Sequence, residues 1–359
     1  MPTPVTSADG LLVLTGSYTP DSGGEGAGLA AVRLVPETGT LRPDPRLPPV
    51  PVTGASYLAA HPSLPVVYST NETDPGAVCA VVLRRSDETL TPLGDPVGTG
   101  GANPCHLTVH PDGRWLLTAN YGSDTAPGSV AVHRLGPDGR VDELTDVAVH
   151  DGTGPVRGRQ DGSHAHQVVL SPDGRFVLAT DLGADAVFVH RLDTRTGLLR
   201  QIAVNRLRPG SGPRHLAFAP DGTRVWSADE LSSTLTCHRY DPSTGTLTEV
   251  SRVPATTARD IANQPGGIVA SPCGRYVWVT NRGADTVAAF RASGTTLQPI
   301  GEVPSGGSWP RGLTPAADHL LVANQNSGTL TALRVLPDGA LGGPGLAARV
   351  PSVVCALAL

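Results

Sequence analysis

Short apolar runs alternate with tight polar turns along this chain, and the order of the runs and turns repeats. An apolar strand leads into Pro-Asp-Gly or a variant, and a second apolar strand follows and ends in a polar cluster. A third, alternating strand then passes through a hairpin carrying Gly-X-Leu into a fourth. The copies run from Tyr57 to Pro62 into Val66 to Asn71, from His106 to Gly113 into Trp115 to Asn120, and from His166 to Gly174 into Phe176 to Asp181. They continue from His215 to Gly222 into Val225 to Glu230, from Gly267 to Gly274 into Tyr276 to Asn281, and from Gly312 to Asp318 into Leu320 to Asn324. The marker prolines at 62, 111, 172, 220, 272 and 315 are spaced by 49, 61, 48, 52 and 43 residues, the period of a four-stranded propeller blade.

The ends of the chain supply the missing unit. Leu11 to Tyr18 and Gly28 to Leu34 have the pattern of second and third strands, and Val353 to Leu359 has that of a first strand. The expected fold is therefore all-β, one domain over 1–359. It is a seven-bladed β-propeller of four-stranded antiparallel blades, closed by N- and C-terminal strands in one blade. Closure of this kind removes exposed strand edges.

Composition agrees with many short strands. The 359 residues include 43 Gly and 34 Pro, too many breakers for long helices, and with 39% hydrophobic residues the chain can build a core. Pro-Asp-Gly suits a tight turn, with Gly in the position that needs positive φ. Six Tyr and four Phe are few for seven sheets, so Leu and Val must fill most of the space between blades.

Charge narrows the function. The net charge is −5, all 27 basic residues are Arg, and basic residues cluster no further than pairs such as Arg84-Arg85. Nucleic acid and membrane surfaces are thus not expected partners. Without Lys, any anion must be held by Arg, His or backbone N–H groups. The five Cys at 79, 105, 237, 273 and 355 form no CxxC and read as buried small hydrophobes in a reducing compartment. Met1 to Gly10 has neither a basic nor an apolar leader segment, and no apolar run reaches membrane-spanning length, so a cytoplasmic protein is expected.

The repeat also has a direction. First-strand starts and second-strand ends share one face, and the unusual polar residues fall there. The starts carry Pro104-Cys105-His106, His164-Ala165-His166, Pro213-Arg214-His215, Gln264-Pro265-Gly266 and Trp309-Pro310-Arg311. The ends carry Asn71-Glu72, Asn120-Tyr121, Asp181-Leu182, Asp229-Glu230, Asn281-Arg282 and Asn324-Gln325. Some of these residues have ordinary structural readings. Asn120, Asp181, Asn281 and Asn324 suit Asx-turns, and Asp112, Asp173 and Asp221 are turn residues. His61 and His110 precede the turn prolines, while His133, His190 and His238 recur at one third-strand position. Arg214, Glu230 and Arg282 fit no repeat consensus, although Arg214 and Glu230 also suit a plain salt bridge.

At His164-Ala165-His166, Gly212-Pro213-Arg214-His215, Asp229-Glu230-Leu231 and Asn281-Arg282-Gly283-Ala284-Asp285 the chain resembles the lactonase family of seven-bladed propellers. That family includes one type of bacterial 6-phosphogluconolactonase and the fungal 3-carboxy-cis,cis-muconate lactonizing enzyme. The WD and kelch signatures are absent. The resemblance implies catalytic roles for His166, Arg214, Glu230 and Arg282, with His164 a rival for the His role.

The leading expectation is hydrolysis of a sugar lactone, 6-phosphogluconolactone among the candidates, without metal or cofactor. Glu230 or His166 would activate water, and Arg214 and Arg282 would hold the anionic group and the oxyanion. His106, Asn120, Tyr121, His164, Asp181, Asn281, Arg311 and Asn324 are the candidate substrate-binding residues. A cycloisomerase acting on a carboxymuconate-like acid would use the same anion-binding pocket, and a non-catalytic binding propeller is the third reading. A calcium site is disfavoured by the Arg and His around the mouth. The segment from Val149 to Ser163, rich in Gly and carrying two Arg, accounts for the 61-residue step and is expected to cover the site.

Overall fold

A computed structural model describes residues 10–84 and 89–359. They form seven antiparallel sheets, each built on a path of four strands. The inner strands of blades 2 to 7 are, in order, Leu58–Ala60, Pro104–Val109, Ala165–Leu170, Pro213–Phe218, Gln264–Ala270 and Pro310–Ala316. The second strands are Val66–Asn71, Trp115–Asn120, Val177–Asp181, Arg224–Asp229, Tyr276–Arg282 and His319–Asn324. Blade 1 is the composite one. Its inner strand, Val353–Ala358, pairs with Leu11–Ser17, and Leu29–Val35 and Thr40–Pro43 complete the sheet. The pairing sets Leu14 opposite Leu357 and Thr15 opposite Ala356, so the two ends of the chain lock the ring.

Second strands such as Trp115–Asn120 and Tyr276–Arg282 are buried at every position. A blade is covered on both faces by its neighbours, which is why these strands read as unbroken apolar runs. The core is divided accordingly into clusters between adjacent blades. Trp226 and Cys237 meet Val277 and Phe290 between blades 5 and 6, and Leu117 and Val132 meet Val168 and Val177 between blades 3 and 4. Leu, Val and Ala supply most of this packing, as the low aromatic content requires.

The Pro-Asp-Gly turns behave as their chemistry dictates. Asp112, Asp173 and Asp221 accept the backbone N–H two residues on, at 2.9, 3.1 and 3.0 Å. Gly113, Gly174, Gly222 and Gly274 take φ of 66 to 71°. His61 spans a blade junction, its Nε2 lying 3.0 Å from the Gly113 carbonyl. His133, His190 and His238 are buried third-strand residues. Cys273 departs from expectation. It occupies the Asp position of the blade 6 turn and is exposed, whereas the other four thiols are buried and all five are unpaired.

At the opposite face the inner strands share a device that decides the site. The register slips in blades 3, 4, 5 and 7, leaving Cys105, His166, Arg214 and Arg311 as the extra residues of β-bulges. A bulge re-aims a side chain without breaking the sheet. The same slip occurs in blade 6 at Gly266-Gly267 and in blade 1 at Val354. His166 is therefore equivalent to Arg214 and Arg311, whereas the partner of His106 in the repeat is His215.

Candidate functional site

The bulged residues meet those that follow the second strands. Glu72, Tyr121 and Glu230 each come one position after a buried Asn or Asp. Their backbone N–H groups bond Gly54, Asn103 and Gly212, which holds each of them beside the start of its inner strand. Arg282 is the corresponding residue of blade 6 and pairs with Gln264.

Glu230 is the centre of the cluster. Arg282 Nη2 donates to its Oε2 at 2.6 Å, and Arg214 Nε lies 3.4 Å from the same oxygen. Its Oε1 accepts from Arg159 Nη2. Burial opposes ionisation of Glu230, but Arg282 and Arg214 outweigh it and hold the carboxyl below the usual carboxylate range. Arg282 is fixed further by the carbonyls of Gln264 and Pro265, at 3.1 and 2.9 Å, and its guanidinium lies 5.7 Å from the Trp309 ring centroid. Trp309 sits at φ 63°, a conformation costly for a bulky side chain, and its N–H donates to Asp285 Oδ1 at 2.7 Å.

Three imidazoles line the same mouth. The ring of His215 lies 5.3 Å from His166 and 5.5 Å from His106, and His106 packs on Tyr57 at 3.8 Å. Burial, reinforced by Arg214, pushes the pKa of all three down, to about 3 for His106 and well below the ordinary value for His166 and His215. These rings are neutral at neutral pH. Arg214 itself is pushed down to about 9 by burial and by Arg282 and Arg311.

Cys105 stands beside the His166 ring. The thiol is 3.3 Å from the His166 carbonyl oxygen, to which it donates, and 3.8 Å from His166 Nδ1. In the tautomer with its proton on Nδ1, that nitrogen donates to the sulfur and Nε2 is the basic nitrogen. Burial keeps this thiol protonated. Across the mouth, Tyr18 Oη donates to Glu72 Oε1 at 2.9 Å, and Arg311 lies over the Tyr18 ring, 4.0 Å from the same carboxylate. The other Glu72 oxygen is buried with no hydrogen-bond partner.

The structure thus brings together His166, Arg214, Glu230 and Arg282, with His106, Tyr121 and Arg311 beside them. His164 stands behind Tyr121: their rings stack at 4.3 Å, and His164 Nδ1 is bound to the Tyr121 carbonyl at 3.0 Å. Asn120, Asp181, Asn281 and Asn324, expected among the substrate-binding residues, do not join the cluster. They are fully buried with partners inside the sheets and loops. Asn120 bonds Ser129, Asn281 bonds Asn263 and the Ala255 carbonyl, and Asn324 bonds Thr331. Asp181 accepts from the N–H groups of His164 and Ala184 and lies 2.9 Å from His150 Nδ1. Side chains alternate across a strand, so the residue after each Asn or Asp is the one that reaches the mouth.

Arg159, Tyr18 and Tyr57 also stand in the cluster without having been expected there, and Glu72 and His215, expected at the mouth, join it although they were not among the candidate binding residues. Glu72 occupies the same repeat position as Glu230, and His215 that of His106, so both carried a signal. Arg159 lies in the long insertion between blades 3 and 4, where its contact with Glu230 places the insertion over the mouth, on the expected face.

Fold and site together define a propeller with a buried guanidinium–carboxylate–imidazole cluster at one mouth of its channel. The chain belongs to the lactonase family of seven-bladed β-propellers, whose model matches residues 12–358. A 6-phosphogluconolactonase of Bacillus subtilis is 30% identical over 281 residues, covering 77% of this chain and 78% of that protein. The periplasmic gluconolactonase of Pseudomonas aeruginosa superposes with a TM-score of 0.89 at 28% identity, covering 97% of this chain and 99% of that one. A Lactobacillus plantarum protein gives 0.88 at 30% identity, with coverage of 97% and 99%.

Proposed function

We propose that this protein hydrolyses a sugar lactone, with 6-phosphogluconolactone as the leading substrate, and that His166, Arg214, Glu230 and Arg282 carry the reaction. The observation behind this reading is the buried Glu230 carboxylate ringed by three guanidiniums beside a neutral His166. Such a pocket binds an anion and retains a base able to take a proton.

Glu230 is a poor base because Arg282 and Arg214, both on Oε2, outweigh burial and hold its carboxyl below the usual carboxylate range. His166 takes that role instead. Its Nε2 removes a proton from water as the water oxygen bonds to the lactone carbonyl carbon. Negative charge builds on the carbonyl oxygen, where Arg214 and Arg282 stabilise it in a site with little water. The ring C–O bond then breaks, and the leaving alkoxide takes the proton back from the His166 imidazolium. The products are the open hydroxy acid and unchanged enzyme. Glu230 keeps the two arginines ionised and aligned. Burial first and Arg214 second depress His166, and an anionic substrate offsets the arginine part.

The relatives named as 6-phosphogluconolactonase and gluconolactonase support the sugar-lactone class. Five unpaired thiols support a reducing, cytoplasmic setting. The test is hydrolysis of 6-phosphogluconolactone and gluconolactone above the spontaneous rate, with a carboxymuconate as third substrate. Wild-type turnover of a lactone that His166→Ala abolishes is the expected result. Turnover of the carboxymuconate alone would move the assignment to cycloisomerisation, and turnover of none would favour a binding propeller.

A further inference from the structure

Arg159 differs from the other guanidiniums on Glu230. Arg214 and Arg282 project from strand ends and keep side-chain exposures of 3% and 4%, whereas the Arg159 side chain, on the inserted loop, is 36% exposed. Glu230 still has Arg282 and Arg214 if Arg159 leaves it, so the partner exchange does not strand a buried carboxylate.

The loop backbone is built to present this side chain. Asp181 receives His150 Nδ1 on one oxygen and the His164 N–H on the other, which clamps both stems of the insertion. Ser163 Oγ closes the stem on the His150 carbonyl at 3.0 Å. Gln160, next to Arg159, is buried and bonds the Leu182 carbonyl at 2.8 Å, while its Oε1 accepts the Val156 N–H at 3.1 Å. The backbone is pinned on both sides of Arg159 and its side chain faces solvent at the mouth.

Charge sets the ligand class. Arg159, Arg214, Arg282 and Arg311 face Glu72 and Glu230, and the histidines among them are neutral. Four cations against two carboxylates leave the mouth with two positive charges. A phosphomonoester dianion matches that excess; the uncharged ring of an unphosphorylated lactone does not.

From this we infer that Arg159 is the specificity-determining residue for a phosphorylated substrate, exchanging Glu230 for the phosphoryl oxygens of the bound lactone. The inference rests on the lactonase reading above. Its test compares kcat/KM for 6-phosphogluconolactone and gluconolactone in wild type, R159Q, R159K and R157Q. The expected result is a fall of about 30-fold in the phosphorylated-to-unphosphorylated ratio in R159Q, the size of one lost charge-assisted contact. R159K recovers part of it, and R157Q, an exposed charge two residues away, leaves it unchanged. Weaker binding of the product 6-phosphogluconate to R159Q, read by calorimetry, checks the same contact without turnover. A proportional loss on both lactones, or an equal fall in R157Q, overturns the inference while the lactonase reading stands. A wild type that prefers the unphosphorylated lactone overturns it as well. A wild type inactive on both lactones overturns the underlying reading.

Discussion

Arg282 Nη2 and Glu230 Oε2 lie 2.6 Å apart, although one side chain ends the second strand of blade 6 and the other follows that of blade 5. Each group is fixed within its own blade, Glu230 by its N–H on the Gly212 carbonyl and Arg282 by the Gln264 and Pro265 carbonyls. The pair forms because adjacent blades are held at a fixed angle by the core between them, where Trp226 and Phe290 are fully buried. A site divided between blades makes catalysis depend on the integrity of the ring.

Glu230→Gln tests the carboxylate. It removes the counter-charge while keeping the shape, leaving the buried Arg214 and Arg282 to repel one another. Breaking a buried pair from one side costs about 3–5 kcal/mol. The expected outcome is a lowered midpoint in urea unfolding together with a fall in kcat/KM of about a hundredfold or more. A variant as stable and active as wild type would contradict the role given to Glu230.

The pH dependence of activity tests the depressed basicity of His166. With His166 well below its ordinary pKa, kcat/KM holds level from neutral pH down past 6.5 and falls only in more acidic buffer. The measurement is kcat/KM from pH 5 to 10 after subtraction of spontaneous hydrolysis. An acid limb centred on 6.5 would show that the base is a solvent-like histidine.

Stability should also depend on acid. His106, His133, His166, His190, His215 and His238 all have folded pKa values depressed mainly by burial, to about 3 for His106 and His190 and about 4 for His238. Between the folded values and about 6.5, the unfolded chain binds more protons than the folded one. Folding stability therefore rises with pH in that window and is lost as pH falls through it, by up to about 1.4 kcal/mol per pH unit for each such group. Asp229, raised by burial to about 6, opposes this trend as a single group. Urea midpoints at pH 7, 6 and 5 should decline steeply, and a flat series would refute the assignment.

Asn324→Ala and Asn281→Ala probe the buried amides. Each loses hydrogen bonds inside the fold, to Thr331 in one case and to Asn263 and Ala255 in the other. The expected cost is about 1–3 kcal/mol of stability with KM unchanged. A raised KM at native stability would return these residues to the binding site.

Asp181→Ala should free the loop. It leaves His150 and the backbone N–H groups of His164 and Ala184 without their acceptor. Limited proteolysis is expected to cut between 151 and 162 faster than in wild type.

Much of this molecule is legible locally. Turn chemistry and burial are properties of a few consecutive residues, so Pro-Asp-Gly, the apolar second strands and the shared end blade could be read from the chain. The direction of the repeat also showed which face would hold charge. At Asn281-Arg282 the chain marked Arg282 as the unusual residue but left Asn281 both a turn and a binding reading, because both fall at the same strand end and only the pleat separates them.

The amino-acid order by itself determined the ring, its closure and its polar face, because these follow from a period and from alternation within each repeat. Tertiary structure decided the rest. The bulges turned His166, Arg214 and Arg311 toward one axis. The pinned insertion brought Arg159 to Glu230 from 71 positions away. Such convergence depends on how seven sheets are angled around a channel, and no local pattern encodes that angle.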